Sequence, residues 1–304
     1  MKNKKNWGGK WTEEKLDAFE KYVKAYLNIM NTHRDVFGWE LLYFDGFAGS
    51  GTRTHEEEEQ EVKEAMDIFG QEVTTDDFNV YQGSAERVVR IEGDGKRSFD
   101  HYFFVDKEEA NCIALEEKLA PYQTTGEKHY LNQDANAAVR LLANTLRKNS
   151  RFKALAFLDP FGMQINWSSI ESLKGQSVDL WILVPTGVII NRLLERKIDK
   201  SRGLAHSEKL ESFFGMSADE ITQYFYTEKQ ELTLFGEEET VTKEENAIRK
   251  IADLYVKRLG DVFPYVTEDP MVLYNTHKVP IYHLVFASTK KVAMKIAQDI
   301  INKQ

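Results

Sequence analysis

A run of closely spaced glycines, a series of carboxylates and one aspartate-proline-aromatic triplet are the residues of this chain best placed to do chemistry. The glycines lie in Leu41-Leu42-Tyr43-Phe44-Asp45-Gly46-Phe47-Ala48-Gly49-Ser50-Gly51, where bulky apolar residues give way at once to small ones. Such a run reads as a buried strand entering a tight loop whose backbone must come close to something. In an open parallel sheet ligands sit outside the carboxyl ends of the strands, and the loop after the first strand is the usual floor of that site. Three further acids follow short strand-like runs: Asp106 after Tyr102-Phe103-Phe104-Val105, Asp134 just after His129-Tyr130-Leu131, and Asp159 after Ala154-Leu155-Ala156-Phe157-Leu158. They stand 28 and 25 residues apart, about one strand plus one helix each time, which puts them on the same sheet edge as the glycine loop. Any one of these acids could be a helix cap, and the loop a turn that lets a helix pack. Four such signals in register point instead to a nucleoside-type ligand, with Asp106 placed to accept the hydroxyls of a ribose.

The elements that must position these groups are legible in outline. Trp11 to Met30 carries apolar residues at Leu16, Phe19, Tyr22, Val23, Tyr26, Leu27 and Met30, the 3.6-residue period of an amphipathic helix, with Thr12 as its N-cap. Helices are expected from Ser84, as a cap, through Val89, from Glu108 to Leu119, and from Ala135 to Leu146. Val178 to Thr186 reads as a further core strand. Met271 to Tyr274 and Pro280 to Ala287, joined around Asn275-Thr276-His277-Lys278, read as a hairpin ahead of an end helix, Lys291 to Lys303. Two stretches do not fit a regular alternation. About 50 residues separate Gly51 from the next strand where a βα unit needs about 30 in all, so an acidic insertion is expected at about 54-80. A helical, loop-like insertion is expected at about 203-246, after a basic run of Arg192, Arg196, Lys197, Lys200 and Arg202. A solvated face or a phosphate-contacting one would both suit that run.

Composition bounds the class. The chain has 304 residues, 42% hydrophobic, enough for a substantial core in one domain over 1-304. Its net charge of -9 would discourage nucleic acid binding, but ten acids between Thr54 and Val80 face Lys63 alone, so that segment carries the whole excess. No apolar run approaches the roughly 18 residues of a membrane span, and no secretory signal core is legible, which predicts a cytoplasmic protein without a membrane partner. Cys112 is the single cysteine, so no disulfide and no cysteine zinc cluster are expected; His277 and His283 lack partners at metal spacing, and no metal is assigned.

The glycine spacing does not match the G-x-G-x-x-G dinucleotide fingerprint, because the third position falls on Thr54. It resembles the first motif of class I S-adenosyl-L-methionine (AdoMet) methyltransferases, in the D-x-F-x-G-x-G form of enzymes that methylate exocyclic amines of bases. That resemblance implies a Rossmann-like three-layer sandwich, with a seven-stranded, mostly parallel sheet closed by an antiparallel C-terminal hairpin. It assigns Asp45, Gly46, Phe47, Gly49 and Gly51 to the cofactor, Asp106 to its ribose and Asp134 to its adenine. Leu158-Asp159-Pro160-Phe161-Gly162 is similar to the strand-end motif of the same enzymes and closer to Asp-Pro-Phe-Gly of tRNA guanine-N2 dimethyltransferases. There Asp159 and the Pro160 carbonyl would hold the amine's hydrogens, restoring nucleophilicity to a delocalised nitrogen, and Phe161 would pack on base or cofactor. Phe44 to Gly51, Gly83-Ser84, Phe157 to Gly162, Phe213-Phe214-Gly215 and Pro280 to Ser288, in that order behind Trp11, resemble the bacterial three-Cys-motif partner proteins. That resemblance implies a second protein bearing the three cysteines. The function expected is AdoMet-dependent methyl transfer to an exocyclic amine of a nucleic acid base. The alternative is an AdoMet-binding or catalytically altered subunit of the three-cysteine partner, and a small-molecule or protein methyltransferase ranks behind it.

Overall fold

Strand β1 (Glu40–Asp45) lies at the middle of the sheet, and the chain winds outward from it in both directions. The computed structural model describes residues 10–51, 83–93, 97–160, 162–195, 197–198, 204, 206–233, 236–244, 246–275 and 277–304. The expected acidic insertion, Phe161, and Arg196, Lys200 and Arg202 lie outside these residues. From β1 the chain passes through α2 (Ser84–Val89) to β2 (His101–Asp106), and through α3 (Glu109–Leu119) to β3 (Glu127–Asn132). It then returns by α4 (Ala135–Lys148) to set β4 (Phe152–Leu158) against the free side of β1. The short α5 (Trp167–Glu171) leads to β5 (Val178–Val184) beyond it. The pairs β1–β2, β2–β3, β1–β4 and β4–β5 are parallel.

A wide turn (Thr186–Ile190), the three-residue α6 (Asn191–Leu193) and β6 (Lys197–Ile198) follow β5, so the basic run forms no continued helix. Next come α7 (Ser207–Phe214), α8 (Ala218–Phe225), β7 (Tyr226–Thr233) and β8 (Gly236–Lys243). The segment expected to be helical is therefore half hairpin, and β8 joins β7 and β6 in a separate antiparallel sheet. After α9 (Ala247–Gly260), strands β9 (Tyr265–Val266), β10 (Met271–Tyr274) and β11 (Pro280–Ser288) complete the main sheet, and α10 (Lys291–Ile301) covers it. Among the described residues the main path runs β10-β11-β5-β4-β1-β2-β3, seven strands, with β9 added beside β11. The hairpin is antiparallel as expected, but only β11 opposes the core; β10 runs with it. This is the doubly wound, three-layer architecture of the class I methyltransferase fold.

The long helix α1 (Lys10–Phe37) decides what one face of the sheet looks like. It outruns the expected helix by about two turns at its C-terminal end, where Gly38 takes a left-handed φ of +61° that most other residues resist. Thr12 lies inside it rather than capping it. Its buried stripe lays aromatic rings across the strands: Phe19 stacks on Phe157 of β4 at 4.2 Å, and Tyr22 meets Trp181 of β5 at 5.4 Å and Phe286 of β11 at 4.8 Å. Tyr22 also donates to Asp179 at 2.7 Å, and Ser288 donates to the other oxygen of that carboxylate at 2.5 Å, so the burial of Asp179 leaves neither oxygen without a donor. No described helix is long and apolar enough to cross a membrane.

Candidate functional site at the switch point of the sheet

Strand order reverses between β1 and β4, and an open α/β sheet leaves a crevice outside the carboxyl ends at that place. The parallel register sets Asp45 opposite Phe157 and Phe104, which carries Asp159 just beyond β4 and Asp106 just beyond Phe104 to the same edge. The loop after β1 is stitched to both neighbours: Gly46 N–H donates to Phe157 O at 3.0 Å and Ala48 N–H to Val105 O at 2.9 Å. Gly46 keeps this approach close, since a Cβ there would lie 2.5 Å from Leu158 Cδ2 and that side chain would have to shift. Gly49 is glycine for another reason. Its φ is +59° and a Cβ would meet no atom of the described residues within 4 Å, so among them the loop here borders open space. Beside the loop a small cleft is lined by Ala48, Gly51, Ser84, Ala85, Leu115 and Lys118 among others; neither Asp106 nor Asp159 lines it.

Asp45 is strongly perturbed by its surroundings. It is fully buried and accepts from Tyr43 OH at 3.1 Å, Ser84 Oγ at 3.1 Å and Phe47 N–H at 3.2 Å, all neutral donors. Burial pushes its carboxyl up from 3.8 to about 7, and the nearby Asp159 charge adds to this while the three donors oppose it. Ser84, expected as a helix cap, spends its hydroxyl on Asp45 instead, and Gly83 takes the N-cap position.

Asp159 holds a partner that the sequence reading did not foresee. Lys15 Nζ, on α1, donates to its Oδ2 at 2.5 Å, with the two side chains only 0% and 4% exposed. Lys15 stands four residues before Phe19 and so continues the buried stripe of α1, which is the signal that could have found it. Burial pulls its ammonium down from the ordinary lysine value, and the Asp159 charge and hydrogen bond oppose that pull. The amine that Asp159 binds in this structure is the chain's own. Pro160 is buried beside it, and Phe161 lies outside the described residues.

The remaining acids are less enclosed. Asp106 Oδ1 accepts from Glu108 N–H at 2.8 Å and Asn111 Nδ2 at 3.0 Å, which ties down the start of α3; among the described residues Oδ2 accepts from none. Asp134 is exposed and caps α4, accepting from Ala137 N–H at 3.0 Å. The structure thus gathers Asp45, Gly46, Phe47, Gly49, Gly51 and Asp159 about one loop, sets Asp106 on the adjacent strand end, and turns Asp134 to its own helix. On the far side of the crevice Thr186 Oγ1 lies 2.8 Å from His283 Nδ1, whose imidazole burial pulls down to about 4 and keeps neutral.

These residues fit a cationic nucleoside cofactor on two counts. The open space at Gly49 admits a group against the backbone, and a buried carboxylate satisfied only by neutral donors gains from a positive charge brought beside it. No protein-family model and no curated protein matches the chain. Among solved structures, Trm1 from Pyrococcus horikoshii in complex with S-adenosyl-L-methionine is similar at 12% identity and a TM-score of 0.41, over 94% of this chain and 58% of that one. A conserved hypothetical protein from Streptococcus pyogenes is similar at 13% identity and a TM-score of 0.29, over 71% of this chain and 94% of that one. The chain therefore spans a little over half the length of the Trm1 chain.

Proposed function

We propose that this chain is an AdoMet-dependent methyltransferase whose acceptor is an amine, an exocyclic amine of a nucleic acid base being the acceptor that Asp159-Pro160-Phe161-Gly162 best suits. The observation that carries the reading is the convergence, at the switch point of a doubly wound sheet, of a left-handed glycine loop with the buried acids Asp45 and Asp159. When bound, AdoMet supplies an electrophilic methyl group on a sulfonium. Asp45 and the Gly46 to Gly51 backbone would hold its cationic end, and Asp106 Oδ2 its ribose hydroxyls. Asp159 would accept the acceptor's N–H, for which Lys15 must yield its place. Both groups donate N–H, so the exchange replaces one N–H···O bond by another, and the Asp159 carboxylate, once Lys15 has left it, is the base next to hand for the proton released.

The Lys15–Asp159 pair also favours a second reading. If the pair never opens, the chain binds AdoMet as a catalytically altered subunit, and transfer requires the three-cysteine partner that the sequence resemblance implies. Methyl-labelled AdoMet, incubated with fractionated DNA, RNA and protein with and without that partner, separates the two. Transfer by the wild type that is lost in Asp159→Asn supports the first reading. AdoMet binding with transfer only in the pair supports the second. Absence of AdoMet binding defeats both.

A further inference from the structure

At the opposite, amino edge of the sheet, β2 and β3 gather a set of groups that the methyltransferase reading leaves unused. His101 opens β2 and is paired in register with Glu127, which opens β3, and His129 follows two residues later on the same face. His101 Nδ1 lies 3.3 Å from His129 Nε2, and Glu127 Oε2 lies 3.6 Å from the first nitrogen and 3.7 Å from the second. Three donor atoms thus mark a nearly equilateral triangle. Ligands held at about 2.0–2.2 Å around a tetrahedral zinc ion lie roughly 3.3–3.5 Å from one another. The triangle needs to contract by only about 0.2 Å to become one face of such a tetrahedron.

The surroundings are those of a prepared site. The ring nitrogen of His101 that faces away from the triangle, Nε2, points to Glu40 Oε2 at 3.8 Å, and Arg151 stands 3.6 Å from the other oxygen of Glu40. Glu40 thus stands, beyond hydrogen-bond distance, on the side of the ring where histidine metal sites carry an outer carboxylate. The His129 ring is stacked on Phe103 at 4.7 Å, which holds its plane. The backbone of Glu127 is fixed by its N–H, which donates to Asp100 O at 2.8 Å, an approach that Gly126 permits because a Cβ there would lie 2.1 Å from Phe99 O. All three donors stand on strands rather than loops, and the exposed Glu127 carboxylate is the one that binding would have to order.

We propose that His101, Glu127 and His129 form a zinc site with three protein ligands and a fourth position open to water, cross-linking β2 to β3. Two imidazoles and one carboxylate suit zinc and its late transition-metal neighbours; magnesium and calcium prefer all-oxygen shells. The proposal departs from the sequence reading, which assigned no metal, and it stands apart from the methyltransferase reading. His101 and His129 are 28 residues apart and match no local spacing pattern, so only the strand pairing reveals them.

The test is a titration of chelator-stripped full-length protein with zinc sulfate at pH 7.5, followed by calorimetry and by competition against a chromophoric chelator. One zinc per chain is expected, together with a higher melting temperature in zinc than in chelator and no competition from magnesium or calcium. His101→Gln and His129→Gln, which remove a direct ligand, should each weaken binding by at least the roughly 10- to 100-fold that loss of an outer-shell partner costs, while His277→Gln, on the distant β10–β11 turn, binds as the wild type does. Melting in chelator shows that the variants fold; a variant that melts early there is replaced by Glu127→Gln, read in the same way. Cobalt should report tetrahedral absorption bands. No zinc bound by the wild type at about 100 μM, or unchanged binding in the His101→Gln/His129→Gln double variant, overturns the proposal.

Discussion

Replacing Lys15 by methionine removes one charge from the centre of the candidate site at nearly constant volume, and its cost can be worked from the structure. Lys15 is fully buried and the Asp159 side chain is 4% exposed, so the aspartate loses its cation with almost no water to replace it. Breaking a buried pair by removing one partner costs about 3–5 kcal/mol, because the remaining charge is stranded. Methionine keeps the packing against Trp11 and Phe157, whose ring centroids lie 5.7 and 5.9 Å from Nζ, so little of the loss is cavity. A stranded Asp159 would have its carboxyl pushed up by burial. A group whose folded value is raised binds its proton more tightly in the native state, so the deficit is largest at high pH and shrinks as pH falls and the proton goes on. Urea unfolding of wild type and Lys15→Met at pH 7.5 and pH 5 measures this, with the slope in denaturant unchanged. Lys15→Met/Asp159→Asn should recover most of the stability, since it strands no charge. A loss below about 1 kcal/mol at pH 7.5, or one that grows on acidification, refutes the reasoning.

Other perturbations probe the rest of the site. Asp45 is raised from 3.8 to about 7, so wild-type stability should fall as pH rises from about 4 to about 7, by roughly 4 kcal/mol at most, and Asp45→Asn should flatten that slope by up to one proton; equal slopes would contradict the burial argument. Asp106→Ala should weaken AdoMet binding by about 10- to 100-fold, as expected of hydrogen bonds to a charged acceptor, with unfolding free energy lowered by about 1 kcal/mol for the lost α3 tie. A Cβ at position 49 meets no atom of the described residues within 4 Å, so Gly49→Val should cost about 1–2 kcal/mol for the strain of φ +59°, while its side chain enters the open space and lowers AdoMet affinity; unchanged affinity would remove the loop from the site. Gly187→Ala should destabilise by several kcal/mol in thermal melts, since its Cβ would lie 2.0 Å from Pro280 O.

What could be read from sequence was what periodicity and strand-end chemistry encode. β1, β2, β4, β5 and β11 are dense in apolar residues, and each was legible within a few residues because burial on both faces demands such runs. Their succession also located Asp45, Asp106 and Asp159 on one edge, as parallel register requires. β7 and β8 escaped because YTEKQELT and GEEETVTK have almost no apolar alternation and pair with each other outside the main sheet. The continuation of α1 to Phe37 escaped because Asn31 to Asp35 are polar, while the backbone carries on to Gly38. Lys15 is not singled out by any motif, although its place on the stripe of α1 argues for burial. Asp134, a strand-end acid like the others, caps its own helix in the structure.

The central claim is that the β1–β4 switch point holds AdoMet, and equilibrium binding tests it most directly. Isothermal titration of the full-length chain with AdoMet should give one site per chain with a Kd near or below about 100 μM, lost in Gly49→Val and weakened in Asp106→Ala. A wild-type chain that gives no binding signal at millimolar AdoMet, or equal affinity in all three proteins, would contradict the account.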